Sequence, residues 1–194
     1  MGKGEETRSA VLDVAARQAR TVGLRGLTIG SLASATDLSK SGLFGHFRSK
    51  EALQLAVLLT ERDRFVDTVV RPTLQAPRGE PRLRELIERW LAWGSQPGGC
   101  LFVAASTELD DDGNPAREQL VRDERDWLDT VAQVARGAVT EGHLAADVDV
   151  EQLAWEIHSI MLGFHHAHRL LRDPQAPDRA RRGVEAVLDR ARPH

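Results

Sequence analysis

Residues 35–53, ATDLSKSGLFGHFRSKEAL, set short hydroxyls, cations and aromatic rings side by side in a span too short to enclose a catalytic pocket. What these residue types can do together is hold a polyanion. Lys40, Ser41 and Gly42 are free to face a groove of duplex DNA, where short polar side chains meet base edges. Lys50, at the start of the following helix, can share one phosphate with the exposed backbone N–H groups there. Thr28 and Ser39 supply the side-chain oxygens that cap two short helices. Leu38, Leu43 and Phe47 can anchor the second of these to a core. The plainer alternative is a compact helical hairpin whose Lys40, His46 and Lys50 are surface charge.

A second group of chemically capable residues lies in HSIMLGFHHAH, residues 158–168. His158, His165 and His168 fall near one helical face, since spacings of seven and three are close to whole turns. A metal would need them to converge with a carboxylate such as Glu156 or Asp129. Nothing in the spacing enforces that convergence, and no metal or other cofactor is expected. The histidines read better as a polar lining for a ligand cavity or as interface hydrogen-bonding groups. Small-molecule sites in helical proteins lie between helices, and Trp93, Phe102, Trp127, Met161, Phe164 and His165 are the candidate lining. They favour an apolar or aromatic effector.

The elements that must position these residues are all helices. There is no Tyr, little apolar–polar alternation and no repeat at solenoid spacing, whereas helical spacing recurs throughout. Val11, Leu12, Ala15, Ala16, Ala19 and Val22 mark one face of a first helix, which Gly23 ends in a left-handed conformation. Ile29, Leu32 and Ala33 point inward from a second helix (28–35), and a third runs 39–46. Asp37 takes the turn between them, where an Asx residue tolerates positive φ. Ser49 caps a fourth helix that continues to about residue 70, before Pro72. QAPRGEP (75–81) is a linker and DDDGNP (110–115) a turn. Further helices are expected over 82–94, 116–140, 151–171 and 178–190. The fold class is all-α with about nine helices. A DNA-binding segment spans 1–48, and an effector-binding and dimerisation segment spans 49–194.

Charge supports that division. Residues 1–50 carry eight basic and four acidic side chains, a balance of +4, and the other 144 residues carry 18 and 25, a balance of −7. An amino-terminal surface that meets a polyanion is thus joined to a body that would be repelled by one. The single cysteine, Cys100, excludes an internal disulfide framework and fits a reducing, cytoplasmic setting. No apolar run reaches the ~20 residues needed to span a bilayer, and residues 1–20 lack a secretory signal's apolar segment.

The segment GLRGLTIGSLASATDLSKSGLFGHFRSKEAL, residues 23–53, resembles the DNA-binding region of the TetR/AcrR family of transcriptional regulators. The matching positions are Gly26, Thr28, Leu32, Ala33, Ser39, Leu43, His46, Phe47, Lys50, Glu51 and Leu53. The resemblance implies a helix-turn-helix regulator, more often a repressor than an activator. It would be a homodimer on a palindromic operator and would answer to a small-molecule effector. The last two long helices would pair with their symmetry mates, and helix four would transmit the effector's presence. The resemblance also brings Phe44 and His46 into the DNA-contacting set. Three positions depart from the family pattern. Phe44 replaces the common Tyr, so a hydroxyl that often meets phosphate is missing, and His46 and Lys50 must carry more of that role. Asp37 replaces a turn glycine, and Gly42 removes a side chain that often reads a base. PGGC (97–100) resembles a short motif found in some members before the sixth helix. Two rival readings remain at this stage. One is a metal-assisted enzyme using the three histidines, which lacks a nucleophile elbow or phosphate loop. The other is a helical ligand-binding protein without DNA binding.

Overall fold

The computed structural model describes residues 3–109, 113 and 115–193. Nine helices longer than one turn make up the described residues, without strands. They are α1 (Lys3–Gly26), α2 (Ile29–Thr36), α3 (Lys40–His46), α4 (Lys50–Phe65), α5 (Glu80–Ser95), α6 (Leu101–Glu108), α7 (Pro115–Thr140), α8 (Val150–Arg169) and α9 (Ala176–Ala191). Most of the expected DDDGNP turn lies outside the described residues.

The chain packs as two units. The first gathers residues up to Arg64 with Cys100–Asp123, and the second gathers Phe65–Gly99 with everything from Glu124 onward. The packing units therefore cut the chain differently from the 1–48 and 49–194 segments expected from the sequence. The chain crosses between units inside α4 and again inside α7.

The first unit is built around an aliphatic core. Val11, Leu12, Ala15, Ala16 and Ala19 of α1 are buried at helical spacing with Leu32, Leu43, Phe47, Leu53, Val57 and Leu58. Leu101, Ala105, Leu109, Ala116 and Leu120 complete the same cluster. Val22, expected on the inward face, is instead half exposed. The chain turns immediately afterwards at Gly23 (φ 78, ψ 167), and Leu24 and Leu27 take the buried places. That backbone combines positive φ with extended ψ, a region open only to glycine rather than the left-handed helical one. The close approach reinforces the choice, since a Cβ there would sit 1.9 Å from Glu108 Oε1. The Glu108 carboxylate is held in place by the Arg25 backbone N–H, which donates to Oε2 at 2.8 Å.

Two side chains of α4 satisfy the carbonyls that α1 leaves open at its end. Gln54 Nε2 donates to Leu24 O at 2.9 Å and Lys50 Nζ to Arg25 O at 2.7 Å. Deeper, the fully buried Glu61 accepts from Arg20, Nε to Oε2 at 2.9 Å and Nη2 to Oε2 at 2.7 Å and to Oε1 at 3.0 Å, and also from Arg64 Nη1 at 3.2 Å. Arg64 also pairs with Asp13. A carboxylate in this position is tolerated only because its lone pairs are used.

Beyond Phe65 the helix does not stop before Pro72. It widens into a π-helical turn over Val66–Val70 and then tightens into one α-turn, Arg71–Thr73. Proline lacks an N–H and its ring crowds the carbonyl four residues back, and a wider turn relieves that crowding. In the second unit α5 packs against α8, and α8 against α9. The N-terminus of α5 is capped by an imidazole, with Glu80 N donating to His143 Nδ1 at 3.2 Å. Hydrogen bonds from Arg192 and then Arg84 hold the Glu80 carboxyl at about 2, well below its ordinary 4.5.

Candidate functional site

The first candidate site is the short helix α3 and its surroundings. Thr28 caps α2 through a reciprocal box, accepting from Ser31 N at 3.0 Å while Ser31 Oγ accepts from Thr28 N at 3.3 Å. Asp37 ends α2 in the left-handed region (φ 54, ψ 20). Ser39 then caps α3, accepting from Gly42 N at 3.1 Å, with its hydroxyl 3.0 Å from that of Ser41. Ser49 caps α4 by accepting from Ala52 N at 3.1 Å. Each of these caps fixes a helix start through local bonds alone, so the hairpin's shape is written in short-range chemistry.

On this frame α3 divides cleanly. Leu43 and Phe47 are buried in the first unit's core, with Leu38 packed partly against it. The Arg8 guanidinium lies over the outer face of the Phe47 ring, 5.3 Å from its centroid. Lys40, Ser41, Gly42, Phe44 and Gly45 are exposed, and His46 is half-buried with its ring 6.4 Å from that of Phe47. Phe44 stands out at 53% exposure, large for a phenyl ring. Among the described residues no hydrogen bond or ion pair engages the Lys40 ammonium. Thr28, Ser39, Lys40, Ser41, Gly42, Phe44, His46 and Lys50 are all brought together on α2, α3 and the start of α4. They divide by task, however. Thr28 and Ser39 use their oxygens as caps, and Lys50 uses a donor on the Arg25 carbonyl, so only part of its ammonium is available to an anion.

The second candidate site is a cluster of rings in the second unit. Phe65 meets Trp93 edge-on at 5.4 Å and Trp127 at 4.7 Å, and Trp90 meets Trp127 at 4.8 Å, all T-shaped. His158 lies 5.7 Å from Trp90. Met161 and Phe164 are buried on the same face of α8 as Ile157. Three buried nitrogens, Trp127 Nε1, His158 Nδ1 and His165 Nδ1, have no hydrogen-bond partner among the described residues. Burial holds both imidazoles below their ordinary 6.5, and the nearby Arg169 guanidinium adds to the effect at His165. Glu124 Oε2 lies 3.9 Å from His158 Nε2.

The expected lining is therefore reunited in part. Trp93, Trp127, Met161, Phe164 and His165 belong to the second unit. Phe102 does not: it packs against the aliphatic core of the first. Phe65 and Trp90 were absent from the expected set, whereas His158 was expected as part of a polar lining. The i, i+3 pair Trp90–Trp93 was the available signal for one of them. The three histidines do not converge. His168 stacks on Phe164 at 5.4 Å, and among the described residues no three His, Cys, Asp or Glu side chains group to hold a metal ion. No helix of the described residues is long and apolar enough to cross a membrane.

A capped two-helix hairpin that buries Leu43 and Phe47 and turns Lys40, Ser41 and Phe44 outward is a helix-turn-helix. Residues 11–57 match the bacterial regulatory proteins of the tetR family, and residues 79–184 match the tetracyclin repressor-like C-terminal domain. The latter match spans more than half of the sequence, and the chain belongs to the TetR family of DNA-binding transcriptional regulators. Similar solved structures include a TetR-family transcriptional regulator from Cytophaga hutchinsonii, with 20% identity, 100% of this chain and 98% of that one covered, and a TM-score of 0.87. A TetR transcriptional regulator from Chloroflexus aurantiacus J-10-FL has 24% identity, coverage of 97% and 96%, and a TM-score of 0.86. AibR in complex with isovaleryl coenzyme A and operator DNA has 19% identity, coverage of 93% and 97%, and a TM-score of 0.75. Among curated proteins none matches by sequence.

Proposed function

We propose that the protein is a cytoplasmic, homodimeric repressor that leaves a palindromic operator when a small uncharged molecule binds its second unit. The observation that carries this reading is the division of α3 into a buried Leu43–Phe47 side and an exposed Lys40–Ser41–Phe44 side. Lys40 and Ser41 address base edges, where a good bidentate pair discriminates by ~1–3 kcal/mol. His46 and the remaining donors of Lys50 address phosphate, Thr28 and Ser39 hold the frame, and Gly42 clears the approach. One short helix gives little affinity, so two copies on half-sites about one DNA turn apart are needed for specificity. Trp155 and Leu162, seven residues apart on α8 and respectively 60% and 40% exposed, supply the apolar face for that pairing.

The effector reading rests on the unpartnered nitrogens of Trp127, His158 and His165 among Phe65, Trp90, Trp93, Met161 and Phe164. They offer a donor and neutral acceptors within an apolar setting, which suits an aromatic or apolar molecule carrying a hydroxyl or carbonyl. That AibR was crystallised with both a small ligand and operator DNA supports a two-ligand regulator of this fold. Switching requires the effector to bind the released form more tightly than the DNA-bound form.

The test is a gel shift with the DNA flanking the protein's own gene, followed by a salt titration. Affinity should fall steeply with salt, by roughly 0.9 in log–log slope per phosphate neutralised. Lys50→Ala should weaken binding on every sequence, and Lys40→Ala should relax discrimination at one base pair. Binding that ignores salt would overturn phosphate-driven docking.

A further inference from the structure

We infer that Phe44 is a specificity residue that reads the 5-methyl group of a thymine in each operator half-site. The inference rests on the regulator reading above and adds what the phenyl ring does within it.

Four observations on α3 converge. Phe44 is 53% exposed on a helix whose other large apolar residues, Leu43 and Phe47, are almost completely buried. Its ring is therefore not spent on the core. The helical neighbours one turn back are Lys40 and Ser41, both exposed, so the ring shares a face with a cation and a hydroxyl rather than with other apolar groups. A phenyl ring has no donor or acceptor, so it can contribute to a nucleic-acid contact only by apolar packing. In the major groove the exposed apolar group that distinguishes one base pair from the others is the thymine methyl.

The glycine next to it completes the argument. Nothing lies within 4 Å of the place a Cβ on Gly45 would occupy, so no contact inside the protein calls for glycine there. Glycine at 45 adds no second bulky side chain to the surface next to Phe44, so this part of α3 can approach a groove closely. The cations alongside it, Lys40 and the exposed Arg48, suit a partner with phosphates flanking an apolar spot.

The experiment selects an operator from a random duplex pool with the full-length protein, then replaces each thymine singly with deoxyuridine. This exchange removes one methyl and leaves every hydrogen-bonding group in place. Burial of one methyl predicts that deoxyuridine at one thymine per half-site weakens binding about fourfold, and that the symmetric double replacement weakens it by about the square of that factor. Phe44→Ala, at a position outside the core, should bind the thymine operator more weakly and lose its distinction between thymine and deoxyuridine. Phe44→Leu should keep part of it. A pool that enriches no duplex overturns the regulator reading and this inference with it. An enriched operator indifferent to all its thymine methyls, or a Phe44→Ala variant that discriminates as well as the wild type, overturns this inference alone.

Discussion

In the first unit the buried polar side chains Gln54 and Glu61 are each matched, Gln54 by the Leu24 carbonyl and Glu61 by Arg20 and Arg64. In the second, Trp127 Nε1, His158 Nδ1 and His165 Nδ1 are buried with no hydrogen-bond partner among the described residues. The half-buried Gln18 leaves an unpartnered amide oxygen in the first unit, yet its packed centre remains aliphatic and electrostatically closed. An unmade bond costs about 1–3 kcal/mol, and two of these three groups, Trp127 and His158, border the same Trp90 ring. On the proposed function, the difference separates a unit that holds a shape from one that accepts an effector.

The largest effect should come from opening what is closed. Glu61→Ala removes the buried carboxylate that Arg20 and Arg64 share and should lower stability by about 3–5 kcal/mol in denaturant unfolding. Replacing Arg20 and Glu61 together with apolar residues of similar volume should recover most of the loss. Failure of that rescue would mean the pair does more than satisfy itself.

Closing what is open should act in the other direction and more weakly. Trp127→Phe keeps a ring against Phe65 and Trp90 but removes the unmatched N–H, and without effector it should raise stability by up to about 1 kcal/mol. A marked loss would show that the indole nitrogen already has a partner in solution.

The imidazoles sharpen the comparison further through pH. Because burial lowers His158 and His165 from 6.5, the unfolded chain takes up protons before the native one does as pH falls. Stability should be level above about 6.5 and decline as pH drops from there toward the lowered native values. In denaturation midpoints followed from about pH 7.5 to about pH 5, His158→Gln should flatten the decline. Smallest of all, Gly45→Ala should stabilise the first unit by about 0.5–1 kcal/mol through helix propensity while weakening operator binding. If stability rises with affinity unchanged, the open space at Gly45 has no role in recognition.

What could be read from the residues beforehand was what local chemistry writes. Thr28, Ser39 and Ser49 cap helices through bonds three residues long, and Asp37 takes its turn with its own side-chain preferences, so the hairpin and its exposed face were legible. The pairing of Arg20 with Glu61 spans 41 residues and that of Arg25 with Glu108 spans 83, and neither leaves a periodic trace. The aromatic cluster lies between these cases. The residue types of Trp93 and Trp127 announced it, but only packing could show that Phe102 serves the aliphatic core and that Phe65 joins the rings. Val22 fits the apolar stripe of α1 and is nevertheless exposed, because the stripe's logic ends where Gly23 redirects the chain.

The aliphatic core of the first unit draws Leu101, Ala105, Leu109, Ala116 and Leu120 from a stretch that begins some 35 residues after Arg64. A fragment ending near residue 64 would thus lose five of the nineteen buried residues of this cluster, leaving the side they cover bare to water. The DNA reader cannot be cut away as a detachable module. Whatever happens to the middle of the polypeptide, by mutation or by a protease, is felt directly by the part that grips the duplex.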